Sequence, residues 1–303
     1  MAAFVDYLVY IGAGYTALTL AFYMLSFVIP QAAFVARVLA SYVSLLVSAS
    51  FGVFVSIALR LAGHVTIAQW ATARCFKYAM LLTTGITFDI DDPHNHLGTV
   101  RPAVFISNHQ TELDVLMLGA AFPKHCSMTA KSSLKKTPFL GWFMTLSGAI
   151  FINRANSKDA RQAMTGAADQ MRNMRQSVFI FPEGTRIYSK EPELLPFKKG
   201  AFHLAVQAQV PIVPVVVANY SHILWIRGLV FKSGSIPIKV LDPIPTTGLT
   251  PADVDELTQR TRDLFLKELI ALTEKARGKP VPMAVKASSS SSNGATKATG
   301  VDL

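Results

Sequence analysis

The stretch AVFISNHQTELD, residues 103–114, joins an apolar run to a polar loop that carries a histidine and an aspartate. An apolar run of this length predicts a buried strand, and the change to polar residues predicts that the strand ends before Asn108. His109 and Asp114 follow the strand, five residues apart. An imidazole can act as a general base, and a carboxylate can fix its tautomer and stabilise the imidazolium. Without an obvious nucleophile beside it, such a base would activate a hydroxyl that a substrate supplies.

The same residues also fit a purely structural role. Thr111-Glu112-Leu113-Asp114 matches the Ser/Thr-x-x-Asp/Glu capping box, in which Asp114 would bond a backbone amide and His109 would lie in a surface loop. On a regular helix, two side chains five residues apart diverge by about 140°. A dyad therefore requires His109 before the first helical turn and Asp114 within it, and both interpretations remain open at this point.

A second polar segment, FPEGTR at residues 181–186, follows a second predicted strand in the same way. Helical patterns at 157–175 and 199–209 alternate with strand-like runs at 103–107, 149–152, 178–181, 212–218 and 237–240. This alternation predicts an α/β domain, with a largely parallel sheet flanked by helices. Ligands of such sheets bind outside the carboxyl ends of the strands. The polar segments that follow these strands would therefore form one site: 108–114, 153–154, 182–186 and 219–220.

Residues 1–62 predict a membrane hairpin of two hydrophobic helices. Residues 7–36 form an uncharged run of 30, and residues 38–59 another of 22. Each exceeds the roughly 20 residues that cross a hydrocarbon core. The break between the runs predicts a connecting turn between Pro30 and Arg37. A cleaved signal peptide fits poorly, because the start lacks a basic region and the apolar stretch is too long. Two spans and a re-entrant pair are both compatible with the pattern.

Three further segments complete the predicted organisation. Residues 63–100 read as an amphipathic interfacial linker, residues 101–280 as the catalytic α/β domain, and residues 281–303 as a disordered tail of low hydrophobicity. A helix that begins near Thr250 and ends at Arg277 is expected to pack on the domain. Its predicted inward side chains are Leu257, Phe265, Leu269 and Leu272.

The charge of the chain favours an anionic lipid surface as a partner. The net charge is +10, from 29 basic and 19 acidic residues. Nucleic acid is a poorer partner, because no base-stacking motif, zinc finger or basic recognition helix accompanies the charge. Cys75 and Cys126 form neither a metal spacing nor a disulfide framework, which suits a reducing compartment. His94 and His96 lie in a polar turn without a carboxylate cage, so no metal site is predicted.

Several residues are candidates for binding a phosphate group. Arg154 and Arg186 each present a planar fork of donors that can hold two phosphate oxygens. Gly184 would let the backbone approach a ligand closely, and Glu183 could hold an arginine or accept from a substrate hydroxyl. Lys131 is a further cation. The alternative is a proline–glycine turn in which Glu183 pairs with Arg186 at the surface.

Four ordered blocks make the chain resemble the glycerolipid acyltransferases. The blocks are Asn-His-x4-Asp at 108–114, FINR at 151–154, FPEGTR at 181–186 and VPIVP at 210–214. Within these enzymes the chain looks like a 1-acyl-sn-glycerol-3-phosphate acyltransferase of the fungal type. The resemblance covers roughly residues 65–245.

The resemblance implies transfer of a fatty acyl group from acyl-CoA to the 2-hydroxyl of lysophosphatidic acid, without an acyl-enzyme and without metal or bound cofactor. His109 would be the base and Asp114 its orienting partner. It also implies an endoplasmic reticulum membrane, with the catalytic domain facing the cytosol. The residues that would bind the acceptor are Arg154, Glu183, Gly184, Thr185 and Arg186, with Lys131 as an auxiliary contact.

Asn153 departs from the family pattern. Many members carry aspartate before the arginine of the second block, so the role suggested for that position is in doubt here. Two other functions are compatible with the sequence. One is an enzyme of the same superfamily that uses glycerol 3-phosphate or another lysophospholipid. The other is a non-catalytic membrane protein that binds anionic lipid.

Overall fold

The computed structural model describes residues 2–153 and 156–281. Its helices are α1 Ala2–Leu25, α2 Pro30–Leu61, α3 Ala68–Thr84, α4 His96–Thr99, α5 Asp114–Ala121, α6 Leu140–Leu146, α7 Ser157–Met174, α8 Gly200–Ala208 and α9 Val254–Arg277. Its strands are β1 Ile86–Asp91, β2 Val104–Ser107, β3 Cys126–Lys131, β4 Ile150–Ile152, β5 Ser177–Ile180, β6 Ile212–Val217, β7 Leu224–Trp225, β8 Val230–Phe231 and β9 Gly234–Val240.

A seven-stranded sheet in the order β1-β9-β6-β2-β5-β3-β4 forms the centre of the domain. Strands β6, β2, β5, β3 and β4 are parallel neighbours, whereas β9 runs antiparallel to β6. The predicted α/β class and its largely parallel sheet are confirmed. The predicted strand-like runs correspond to β2, β4, β5, β6 and β9, and the predicted helical patterns to α7 and α8.

Two strands of the sheet were not predicted. Strand β3 is short and mixes serine, threonine and lysine with its apolar residues, so its sequence has no clear strand pattern. Strand β1 lies within residues 63–100, for which the sequence pattern predicts an amphipathic linker, and pairs with β9 at the edge of the sheet. Its inward and outward residues alternate, as expected for an edge strand with one covered face.

Helices cover both faces of the sheet. Because side chains alternate along a strand, β2 sends Val104 and Ile106 to one face and Phe105 to the other. The first face packs against α7, α8 and α9, and the second against α3 and α5. The predicted inward residues of α9 are confirmed as buried: Leu257, Phe265, Leu269 and Leu272.

The two N-terminal helices form as predicted, but the turn between them lies elsewhere. Residues 26–29 connect α1 to α2, and Pro30 is the first residue of α2. The expectation that Arg37 lies in the turn is wrong. Proline suits the first turn of a helix, where its missing amide hydrogen costs no bond, so α2 begins at Pro30 and passes through Arg37. By length and composition α2 could cross a membrane, whereas the apolar part of α1, Val9–Leu25, is shorter.

Helix α2 has two contrasting faces. Its buried residues are small and recur mostly at every fourth position: Ala32, Ala36, Ala40, Ser44, Ser48, Ala49, Gly52 and Ser56. This face packs closely on α3 and α6, and a Cβ at Gly52 would meet the Phe143 ring at 2.6 Å. The opposite face exposes large apolar side chains: Tyr42, Val43, Leu46, Val47, Phe51, Phe54, Ile57 and Leu61.

Candidate active site

His109 and Asp114 are in contact directly after strand β2. The Nδ1 atom of His109 donates a hydrogen bond to Oδ2 of Asp114 at 2.7 Å. His109 precedes helix α5 and Asp114 is its first residue, so the geometric condition for a dyad is met. With the proton on Nδ1, the opposite nitrogen, Nε2, is the one that can accept a proton. Nε2 has no hydrogen-bond partner among the described residues.

The Asp114 carboxylate is completely buried and accepts further hydrogen bonds. Its Oδ2 also accepts from the backbone amides of Gln110 at 2.6 Å and Thr111 at 3.2 Å. Its Oδ1 accepts from the Tyr220 hydroxyl at 2.7 Å. A carboxylate removed from water is costly unless its oxygens are bonded, and this set satisfies both. Asp114 is therefore held in one orientation toward His109.

The capping interpretation of Asp114 is correct in part. The carboxylate bonds the Thr111 amide, as the capping box requires. The reciprocal bond is different, because the Thr111 hydroxyl accepts from the amide of Leu113 at 3.1 Å. The same carboxylate thus closes the first turn of α5 and orients the imidazole, so the two interpretations do not exclude each other.

Phe181 fixes the plane of the His109 ring. The two rings stack with centroids 4.2 Å apart and an angle of 11° between their planes. Phe181 directly follows strand β5, which pairs with β2, so the stacking joins the ends of two neighbouring strands. The His109 side chain is only 16% exposed. Its ring therefore has little freedom to rotate away from Asp114.

The buried carboxyl group of Glu183 accepts hydrogen bonds from two backbone amides. Its Oε1 accepts from the amide of His109 at 2.7 Å, and its Oε2 from the amide of Leu195 at 2.9 Å. Burial raises the pKa of this carboxyl to about 7. The alternative of a surface pair between Glu183 and Arg186 is wrong, because Glu183 is buried and bonds amides. A contact between Glu183 and a substrate stays a prediction, while the described geometry gives it a backbone-holding role.

Arg186 pairs instead with a residue of the first motif. One terminal nitrogen, Nη1, donates to Oε1 of Glu112 at 3.1 Å and to the hydroxyl of Tyr188 at 3.5 Å. The Nε atom of Arg186 is buried without a partner among the described residues. An unpaired guanidinium donor at a site edge fits the predicted contact with a phosphate oxygen.

Gly184 adopts a conformation that favours glycine. Its φ is +70°, and a Cβ at this position would lie 2.9 Å from Nζ of Lys198. The following residue, Thr185, is exposed to solvent at the same turn. The turn therefore keeps its backbone close to a lysine and open to solvent on its outer side, which fits the predicted approach of a ligand.

The remaining predicted residues belong to strands β3 and β4. Lys131 is the exposed last residue of β3, beside Ile152 of β4. Because β3 also pairs in parallel with β5, Lys131 lies at the same edge of the sheet as the dyad. Asn153 follows β4 and donates from Nδ2 to Asp159 at 3.0 Å. Arg154 lies outside the described residues.

Side-chain amides hold the ends of β2 and β6 together. Asn108 donates from Nδ2 to the carbonyl of Val217 and accepts from the Val217 amide, both at 2.9 Å. Gln110 donates to the carbonyls of Val217 and Ala218. Of the four segments predicted to converge, residues 108–114, 182–186 and 219–220 are in contact at this end of the sheet. For the fourth segment, Asn153 follows β4, and Arg154 lies outside the described residues.

Sequence reasoning missed the roles of Tyr220 and Glu112. Tyr220 lies in a segment that the strand pattern placed at the site, but nothing in the sequence marks its hydroxyl as the partner of Asp114. Glu112 occupies one of the four unspecified positions between His109 and Asp114. A carboxylate of one motif facing an arginine of another was the available signal, but many such pairs exist in any chain.

A cavity of about 240 Å³ adjoins the loop of the dyad. Residues that also bond the dyad or Arg186 line it, among them Thr111, Tyr188 and Tyr220. It is smaller than the roughly 300–1,000 Å³ of typical ligand pockets. A long substrate would therefore extend along the open edge of the sheet. In the described part of the chain, no group of three or more metal-ligating side chains is arranged to hold a metal ion.

Known proteins resemble this chain in sequence and in fold. The family model described as Acyltransferase matches residues 92–218. The crystal structure of the 1-acyl-sn-glycerophosphate (LPA) acyltransferase PlsC from Thermotoga maritima superposes with a TM-score of 0.59. The superposition covers 85% of this chain and 97% of the PlsC chain, at 21% sequence identity. At that identity the likeness shows the shared fold.

Two curated relatives are closer in sequence. The 1-acyl-sn-glycerol-3-phosphate acyltransferase of Saccharomyces cerevisiae is 42% identical over 219 residues, 72% of this chain and 72% of the relative. The human 1-acyl-sn-glycerol-3-phosphate acyltransferase beta is 43% identical over 194 residues, 64% of this chain and 67% of the relative. Identity of this extent, together with the matching family model and fold, places the chain in the family of 1-acyl-sn-glycerol-3-phosphate acyltransferases.

Proposed function

We propose that this protein transfers a fatty acyl group from acyl-CoA to the 2-hydroxyl of 1-acyl-sn-glycerol 3-phosphate, forming phosphatidic acid and free CoA. Family membership supports the reaction, because the relatives are named as 1-acyl-sn-glycerol-3-phosphate acyltransferases. The observation that carries the proposal is the His109–Asp114 hydrogen bond of 2.7 Å, which leaves Nε2 available as a base.

In the proposed mechanism, Nε2 of His109 removes the proton from the 2-hydroxyl of the acceptor. The resulting oxygen attacks the thioester carbonyl of acyl-CoA, and the tetrahedral intermediate expels the CoA thiolate, which takes the proton from the imidazolium. Asp114 stabilises the imidazolium between these steps. Base catalysis of this kind contributes about 10²–10⁴-fold, so the positioning of both substrates must supply much of the remainder.

The direct transfer without an acyl-enzyme agrees with the state of the two cysteines. Cys126 is fully buried, and this burial raises the pKa of its thiol well above the usual range. A protonated, inaccessible thiol is a poor nucleophile. Cys75 is half-buried on helix α3.

The acceptor phosphate is proposed to bind at the open side of the site. Arg186 is partly exposed and offers the side of its guanidinium formed by Nε and Nη2, whose buried Nε has no partner among the described residues. Lys131 adds a cation at the carboxyl ends of the neighbouring strands. Gly184 and Thr185 directly precede Arg186 in the chain. Arg154 completes the set by the family resemblance. The arginines would hold phosphate oxygens in pairs, and the lysine would act as a point charge.

Membrane attachment is proposed through the outward faces of α1 and α2. Both substrate and product are lipids, so the site must lie near a bilayer. Arg37 donates from Nη1 to the carbonyl of Phe231 at 2.9 Å, and Arg60 donates from Nη2 to the carbonyl of Leu146 at 2.6 Å. Helix α2 is therefore bonded to the catalytic domain at two points about 35 Å apart.

This attachment favours a re-entrant pair over two spans. A helix that crosses the hydrocarbon core ends about 30 Å from the side where it began, away from a domain on that side. Helix α2 instead keeps contact along its length and exposes a stripe of large apolar residues to the lipid. The family resemblance extends the proposal to the endoplasmic reticulum membrane, with the catalytic domain in the cytosol.

The test is acyl transfer from labelled oleoyl-CoA to lysophosphatidic acid in detergent or vesicles, with wild type and His109→Ala compared. We expect phosphatidic acid from the wild type and almost none from the variant. His203→Ala, which removes an exposed histidine of α8, is the matched control and should keep wild-type activity. A circular dichroism melt checks that each variant is folded.

A panel of acceptors then separates the alternatives. A wild-type preference for glycerol 3-phosphate or for a lysophospholipid with a larger headgroup would replace the proposed acceptor. Inactivity with every acceptor, in folded protein, would favour a lipid-binding role without catalysis. Full activity of the His109→Ala variant would reject the base and require another mechanism.

A further inference from the structure

Among the described residues, the hydrogen bonds of the Arg186 guanidinium all involve one of its ends, Nη1. Its Nη1 donates to Glu112, and the hydroxyl of Tyr188 donates to the same Glu112 oxygen at 2.5 Å. Tyr188 also accepts from Nη1 at 3.5 Å, so the three side chains form a closed ring of hydrogen bonds. The Nε atom on the other side of the guanidinium is buried and has no partner among the described residues.

The backbone fixes this arrangement. The amide of Ile187 donates to the carbonyl of His109, and the amide of Tyr188 to the carbonyl of Gln110, each at 3.1 Å. Tyr188 has a φ of +51°, in the left-handed region that a large side chain rarely adopts. Residues in this conformation persist only where the surrounding structure holds them, and they concentrate at functional sites. Here the conformation places the tyrosine hydroxyl on Glu112.

We propose that Glu112, with Tyr188, is a positioning residue that fixes Arg186 so that its Nε edge faces the phosphate of the acceptor. Glu112 would thereby set the preference of the enzyme for phosphorylated acceptors. The inference rests on the proposed function. A guanidinium binds two oxygens best through two parallel donors, and Nη1 is already occupied, which leaves Nε and Nη2 for the ligand. A buried donor such as Nε is costly while unpaired, so an incoming oxygen is favoured there.

The hydrogen bonds among Arg186, Glu112 and Tyr188 also reduce the entropy that the Arg186 side chain loses when a phosphate binds. Arginine has several rotatable bonds, and freezing them on binding opposes affinity. A guanidinium that is already held by Glu112 and Tyr188 loses less freedom when the phosphate arrives. The opposing effect is repulsion between the Glu112 carboxylate and the phosphate. Glu112 is bonded to Nη1, which lies on the opposite side of the guanidinium from the Nε–H group, and the sign of the change in KM decides which of the two effects is larger.

The test measures steady-state kinetics of wild type, Glu112→Ala and Glu112→Gln with lysophosphatidic acid and acyl-CoA. We expect Glu112→Ala to raise the KM for lysophosphatidic acid about fivefold, as for the loss of one charge-assisted contact. The kcat and the KM for acyl-CoA should stay within about twofold of wild type. Glu112→Gln keeps an acceptor oxygen for Tyr188 and Arg186 and should restore much of the loss. Glu256→Ala, at an exposed position of α9, is the matched control.

A 1-monoacylglycerol, which has the same hydroxyl but no phosphate, supplies the second readout. The ratio of kcat/KM for lysophosphatidic acid to that for the monoacylglycerol should fall about fivefold in Glu112→Ala. In an Arg186→Ala background, Glu112→Ala should have no further effect.

Three outcomes would overturn the inference while leaving the proposed reaction intact. The KM for lysophosphatidic acid could be unchanged, or it could fall, which would make Glu112 a competitor of the phosphate. Both acceptors could also lose activity equally, which would indicate structural damage. Failure of the proposed function is distinct, because the wild type itself would then not acylate lysophosphatidic acid.

Discussion

The two ends of the candidate site differ in how tightly they are held. At the end that holds the general base His109, Asp114 is completely buried. Its carboxylate accepts hydrogen bonds from one imidazole, two backbone amides and a tyrosine hydroxyl. At the other end, the side chains of the Arg186–Glu112 pair are 36% and 53% exposed, and the Nε donor of Arg186 has no partner in the part of the chain that the structure describes. The difference separates two tasks. The base must keep one geometry through the reaction, whereas the binding end must accept and release a charged ligand.

The comparison predicts that changes at the buried end reduce kcat most. Asp114→Asn replaces a carboxylate oxygen by an amide group and removes the charge that stabilises the imidazolium. We expect kcat to fall about a thousandfold, with much smaller changes in either KM. Steady-state kinetics of folded variant protein measure this. A kcat within tenfold of wild type would mean that Asp114 serves mainly as the cap of α5.

The second prediction concerns Glu183, which accepts a hydrogen bond from the backbone amide of His109. Burial raises its pKa from 4.5 to about 7 in the folded protein. The unfolded chain therefore releases this proton at lower pH than the folded chain does. Below about pH 4.5, Glu183 contributes about 3 kcal/mol to the free energy of unfolding. This contribution is lost as the pH rises through the folded-state pKa of about 7.

Glu183→Gln removes this titration and should flatten the pH dependence of stability over that interval. Denaturant unfolding in detergent at several pH values, compared between wild type and variant, gives the difference directly. Parallel curves would indicate that the folded-state pKa of Glu183 is not raised. The Gln side chain also loses one of the two oxygens that hold the amides of His109 and Leu195, so a uniform loss of stability is expected in addition.

The third prediction tests the outer part of the buried network. Tyr220→Phe removes the hydroxyl that donates to Asp114 and accepts from the Thr111 amide. We expect kcat to fall about fivefold, or about 1 kcal/mol in activation free energy, with the KM for the acceptor unchanged. The contrast with Glu112→Ala, which should change KM, sharpens the division between the two ends. If Tyr220→Phe changed KM and kcat equally, the division would fail.

The smallest effect is expected at Lys131. Its side chain is exposed at the end of β3, so water screens its attraction for a phosphate. Lys131→Ala should raise the KM for lysophosphatidic acid about two- to threefold, and the effect should weaken with added salt. Lys136→Ala, which removes a neighbouring exposed lysine, serves as the control. Equal effects of both changes would assign the loss to general surface charge.

The sequence predicted the buried end of the site better than the exposed end. Strand β2 and the loop that follows it are adjacent in the chain, so local patterns place His109 and Asp114 in reach of each other. The parallel sheet then brings Glu183 to the same edge, because β5 is the neighbour of β2. The partners of Glu183 and Arg186 could not be predicted in this way. They depend on backbone amides and side chains that only the tertiary fold brings near.

Tyr220 illustrates the same limit. It is 106 residues from Asp114, and the bond between them depends on the register of β6 beside β2. The position of Arg37 shows another. Uncharged runs locate apolar helices, but the proline decides where α2 begins. An arginine can lie inside that helix when backbone carbonyls accept hydrogen bonds from its guanidinium.

The hydrogen bonds that Asp114 accepts from the backbone have a consequence for experiment. The amides of Gln110 and Thr111 donate to the same oxygen that holds His109. Any opening that exposes these two amides to solvent also releases the imidazole. Their rates of hydrogen exchange, resolved by mass spectrometry or NMR, would therefore report the fraction of molecules with an assembled dyad, even when no substrate is present.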